Sequence, residues 1–161
     1  MPPSVSFAQA LRDISPASGV AAQGEKVRAS HPYPDEAPTV YYAGMDRTWL
    51  GFAAVNGALA VIAGAFAAHG LLARVSLEAL SVFETGARYH MYHALAMALA
   101  ALVPARAAAA AFLAGILLFS GSLYLLALTG WTVMALVTPV GGVCFVVGWA
   151  LLAWKSFQGP I

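Results

Sequence analysis

The run "TWLGFAAVNGALAVIAGAFAAHGLL", Thr48 to Leu72, holds 25 residues without one formal charge. As a helix rising 1.5 Å per residue it is long enough to cross a hydrocarbon core, which takes about 20 residues. Barrel strands would instead alternate polar and apolar over about ten residues, and this run does not. Two more uncharged runs follow: "AAAAAFLAGILLFSGSLYLLALT" at 107–129 and "TVMALVTPVGGVCFVVGWALLAW" at 132–154. A weaker one, 87–104, opens out of "FETGARYHMYHALAMALAALVP" (83–104), where Glu84, Arg88, His90 and His93 cluster at its mouth. The expected fold class is therefore all-α: an integral membrane four-helix bundle occupying 45–156, with spans near 48–72, 87–104, 107–129 and 132–154.

The rest of the composition agrees with a membrane reading. Hydrophobic residues make up 61% of the chain and charged ones 9%, outside the usual globular balance. Of the 15 charged side chains nine precede Thr48, so the chain divides in two. Residues 1–44 are rich in Pro, Ala, Ser and Gly, lack either periodicity and contain no apolar core for a secretory signal, and are expected to be a disordered tail. Met45 stands directly before Asp46, Arg47 and the first run, so a native start at Met45 is an alternative. Residues 157–161 form a short C-terminal tail. The net charge of +1, with no basic cluster interleaved with aromatics, argues against nucleic acid as a partner. Cys144 is the only cysteine and can form no internal disulfide.

Short turns at Pro104–Arg106 and Gly130–Trp131 make antiparallel hairpins of the later spans, and 73–86, with Val75, Leu77, Leu80, Val82 and Phe83 among polar residues, suits a short interfacial helix. Trp49, Trp131, Trp149 and Trp154 fall near span ends, where indole rings favour the interface. An even number of spans puts both termini on one side; Arg47, Arg106 and Lys155 there, against Arg74 and Arg88 opposite, favour N-in and C-in. Small residues at Asn56, Ala60, Gly64 and Ala68, and at Ala111 and Gly115, offer close helix approach, within the bundle or between copies.

The candidate intramembrane polar site comprises His69, Glu84, Arg88, Tyr89, His93 and Tyr124. On a helix Glu84, Arg88 and Tyr92 share one face while Tyr89, His90 and His93 lie roughly opposite. Glu84 and Arg88 read as an ion pair at the interface. His69, His90 and His93 are the residues a metal would use, but no Cys/His signature or second paired-ligand motif accompanies them, and histidines bonded to carbonyls or hydroxyls are the simpler reading. Tyr124, Thr129, Thr132 and Thr138 fall in the half of the bilayer away from the termini, which predicts a polar half and an apolar half. Pro139, with Gly141 and Gly142 after it, should loosen span four as a kink or hinge. No catalytic triad, phosphate loop, nucleotide fingerprint or haem-attachment pair occurs, so no cofactor and no catalytic activity are expected.

The stretches "GAFAAHGL" (64–71), "FETGARYHMYHALA" (83–96), "LFSGSLYLLALTG" (118–130) and "TPVGGVCFVVGWALLA" (138–153) together resemble the domain of unknown function 423 family, the small YgdD-like membrane proteins. The resemblance covers nearly all of 47–154. It implies a bacterial inner-membrane or mitochondrial-type location and no established activity. It picks out Gly64, Ala68, His69, Gly70, Thr85, Tyr89, His93, Ser120, Gly121, Ser122, Tyr124, Pro139, Gly141, Gly142, Gly148 and Trp149. The family pattern often has Gln in place of His90, and the tail has no counterpart in it.

Three functions fit these observations. The first is a non-enzymatic accessory or assembly component of a membrane complex, with lipid and either a membrane-protein partner or a second copy around it. The second is a small oligomeric transporter or channel lined by His69, Glu84 and Arg88. The third is a protein binding metal, haem or quinone between His69 and His93.

Overall fold

A computed structural model describes residues 44–158. The expected disordered tail lies outside those residues, apart from Gly44 at its end. Four helices follow in chain order: α1, Arg47–Leu71; α2, Leu77–Leu102; α3, Arg106–Thr129; and α4, Met134–Phe157. No strand occurs among the described residues. By length and composition α1, α3 and α4 can cross a membrane. The remaining helix, α2, is as long as they are but carries Glu78, Glu84 and Arg88 in its first half.

Each helix begins and ends for a local reason. Asp46 caps α1, its carboxylate accepting the Trp49 N–H at 3.3 Å, and Ser76 caps α2 by accepting from Ala79 N at 3.2 Å. At the other end of α2, two carbonyls left without helical partners are taken up by the turns. Ala100 O accepts from Ala105 N at 2.8 Å, and Ala101 O accepts from Asp46 N at 2.9 Å. Gly130, at φ 71°, closes α3 in the left-handed conformation that glycine adopts without a Cβ penalty. Both α1 and α3 contain one wide π turn, at Ala67–Leu71 and Ile116–Ser120.

The Ser76 cap corrects one expectation. Residues 77–86 are not a separate interfacial helix; they are the first turns of α2, which runs unbroken for 26 residues. Glu84 and Arg88 therefore stand seven and eleven residues inside a helix, about 10 and 16 Å from its start.

The helices pack in sequence: α1 along α2, α2 along α3, α3 along α4, with only slight approach of α2 to α4. Among the described residues α1 has no extensive neighbour except α2. Ala53, Asn56, Ala60, Ala67 and Leu71 are the buried positions of α1, whereas Ala68 is exposed and a methyl on Gly64 would meet nothing within 4 Å. The expected stripe at every fourth residue thus holds for only its first two members. Steps of four advance 400° around a helix, so the row drifts off the contact, and alternating steps of three and four keep it there.

Between α3 and α4 the closest approach is made by rings seated on glycines. Phe145 lies over Gly115, Phe112 over Gly148, and the backbone of Phe119 lies against Gly141. Gly141 is thus a packing position. α4 continues as helix through Pro139, and Thr138 before it bonds Met134 O at 3.2 Å. Two apolar clusters result, one around Met97, Phe112 and Phe145, the other around Leu71, Leu80 and Phe83.

Candidate functional site

Polar side chains meet near the middle of the fold. His90, 13 residues from Leu77 and 12 from Leu102, turns its buried imidazole between α1 and α3. Its Nε2 lies 3.2 Å from Asn56 Oδ1 and its Nδ1 lies 3.2 Å from the Tyr124 hydroxyl. Asn56 Nδ2 donates to Phe52 O at 2.8 Å, which leaves Oδ1 as an acceptor. The neutral tautomer with hydrogen on Nε2 then satisfies every group: Tyr124 donates to His90, His90 to Asn56, and Asn56 to the backbone. One imidazole ties three helices, each interhelical bond being worth roughly 0.6 kcal/mol in a membrane.

His93, one turn further along, is held differently. Its Nδ1 donates to Tyr89 O at 2.8 Å, and its ring lies flat on Phe145, with centroids 3.4 Å apart and planes 6° from parallel. Tyr89 stacks beside it at 6.0 Å, and Trp149 approaches edge-on. Trp149, itself half exposed, also meets Phe112 edge-on at 5.3 Å. Ser122 and Thr138 exchange a bond at 2.8 Å between α3 and α4. Ser120, 0% exposed at the end of the π turn of α3, has the only buried side-chain oxygen without a partner among the described residues.

The residues expected to form one polar site divide into inner and outer sets. His93 and, in part, Tyr124 are inside; His69, Glu84 and Arg88 are exposed, and Tyr89 straddles the boundary. Glu84 and Arg88 do share the outer face, but they form no ion pair: Arg88 donates to Thr85 Oγ1 at 3.1 Å, and the only ion pair among the described residues joins Asp46 to Arg106. His69 is exposed whereas His90 and His93 are buried, and no three potential metal ligands gather among the described residues. His90 reaches its partners at mid-length, while Thr129, Thr132 and Thr138 stand at the end of α3, in the turn after it and in the first turns of α4. Asn56 was the residue that sequence reasoning left in a packing stripe. The available signal was its place as the one amide in the uncharged run of α1.

Three membrane-length helices and a hydrogen-bonded centre of His90, Asn56 and Tyr124 define a small helical membrane protein. Relatives agree. The profile "Protein of unknown function (DUF423)" matches residues 63–142. A UPF0382 membrane protein of Haemophilus influenzae is 45% identical over 120 residues, covering 71% of this chain and 97% of the relative. UPF0382 membrane protein YwdK of Bacillus subtilis is 41% identical over 107 residues, covering 62% and 87%, and one from Staphylococcus aureus is 41% identical over 111 residues, covering 65% and 91%. The chain belongs to this family of membrane proteins of unknown function. No solved structure matches it.

Proposed function

We propose that this protein is a non-enzymatic component of a membrane assembly, held among other helices rather than acting on a substrate. The observation that carries this reading is the contrast between its interior and the outer face of α2. Inside, His90, Asn56 and Tyr124 spend their hydrogen bonds on one another. Outside, Glu84 and Arg88 stand exposed and without an ion-pair partner on a helix packed along two membrane-length neighbours, α1 and α3. Exposed charge of this kind favours a polar partner over lipid. We place the protein in the bacterial inner membrane with both ends of the helical domain on the cytoplasmic face. In support, Arg47, Arg106 and Lys155 sit at one end of the helices and Arg74 at the other.

Extraction from the native membrane in mild detergent, followed by native electrophoresis and mass spectrometry, tests the reading. Migration in a defined assembly larger than one chain is expected. A chain that runs alone under every mild condition would overturn it.

A further inference from the structure

We propose that the outer face of α2 is a two-fold interface between two copies of this chain. The proposal rests on the assembly reading and names the first partner in it. Thr85, Arg88, Tyr92, Leu95, Leu99 and Leu102 follow one another at alternating steps of three and four, the repeat by which one helix lies along another in a left-handed pair. All but the half-buried Thr85 are exposed, Tyr92 at 57%. The outer faces of α1 and α4 are different in kind, with apolar residues such as Val61, Ile62, Val143 and Val146 that suit lipid.

Charge selects a second copy as the occupant. The stripe is apolar in its second half and carries both signs of charge in its first, with Glu84 beside it and Arg88 on it, four residues on. A two-fold axis along the membrane normal sets α2 parallel to α2 of the other copy. Leucines then meet leucines, and Glu84 of each copy faces Arg88 of the other across an offset of about 6 Å, which the long arginine side chain spans. One surface supplies both members of two ion pairs, as a self-complementary interface requires. Within one copy the same two residues leave each other unpaired.

The test uses the full chain in native membranes with Cys144→Ala and a single new cysteine, Tyr92→Cys, at the centre of the stripe. Oxidation is expected to give a disulfide-linked dimer, and Val61→Cys on the outer face of α1 is expected to give none. Adding Glu84→Arg or Arg88→Glu should each cut the cross-linked fraction at least tenfold, and combining them should restore it. That restoration also shows that the single variants had not merely misfolded.

Cross-linking that ignores both single reversals, or that the double exchange leaves abolished, overturns the interface. Tyr92→Cys captured by a different polypeptide instead would overturn the second copy as occupant while leaving the assembly reading standing. A chain that cross-links to nothing and migrates alone, its Arg88 extended to the headgroups, would remove both.

Discussion

Arg106 Nε donates to Asp46 Oδ2 at 2.6 Å and joins the first turn of α3 to the cap of α1, 60 residues apart in sequence. The two partners are unequally covered: the aspartate side chain is 8% exposed and the arginine 79%. The same carboxylate receives the Trp49 N–H, so one side chain caps a helix and ties two helix starts together.

The bond from Arg106, then the backbone N–H groups of Trp49 and Thr48 and the arginine's charge, hold the Asp46 carboxyl below its ordinary value of 3.8, against partial burial that pushes it up. A depressed folded value means that the contribution is complete above the ordinary carboxylate range and is lost as pH falls through the folded value. The wild-type melting temperature should therefore drop on acidification below about pH 4 by more than that of Asp46→Asn, which lacks the titrating group. Thermal scans of both proteins in nanodiscs check this. Parallel pH profiles for the two would refute it.

His90→Leu removes two interhelical bonds and leaves Asn56 Oδ1 and the Tyr124 hydroxyl without their partner. A loss of about 1–3 kcal/mol is expected. His90→Gln keeps a donor and an acceptor on a side chain of similar reach and should recover most of that loss. Denaturant titration in mixed micelles measures both. Equal stability of the leucine and glutamine variants would show that the imidazole is only a space-filler.

Gly141→Val would drive a branched side chain into the backbone of Phe119, which cannot swing away as a side-chain tip can. A cost of about 1–3 kcal/mol is expected, with α3 and α4 forced apart. Gly57→Ala, whose added methyl meets nothing within 4 Å, should be neutral or stabilise by up to about 1 kcal/mol through helix propensity. The two belong in one unfolding series, where the opposite signs are the readout.

Ser120→Ala deletes a buried hydroxyl that has no partner, so it should hold stability or raise it, unlike a serine whose bond is lost. Ser122→Ala is the control. It breaks the bond to Thr138 and should lower stability by about 0.6 kcal/mol. A large loss from Ser120→Ala would reveal that its oxygen carries a bond after all.

The limits of α1, α3 and α4 were legible within a few residues because uncharged runs of that length have one economical conformation in lipid. The start of α2 was misread because hydropathy fades at Glu84 and Arg88, although Ser76 followed by Leu77 and Glu78 already spelled a cap and an acidic first turn. Helical angles alone separated Glu84, Arg88 and Tyr92 from His90 and His93, and the structure keeps that division. They could not supply Asn56 and Tyr124 as partners of His90, each 34 residues away, since that pairing depends on how three helices rotate against one another. The Glu84–Arg88 pair failed for a related reason. Spacing by four permits an ion pair, but Thr85 lay nearer to the guanidinium.

Of the four helices α2 alone lacks the apolar content to cross a membrane by composition, and it packs along both α1 and α3. For His90 and His93, buried against those neighbours, the adjoining helices take the part that a solvent would play for an exposed imidazole.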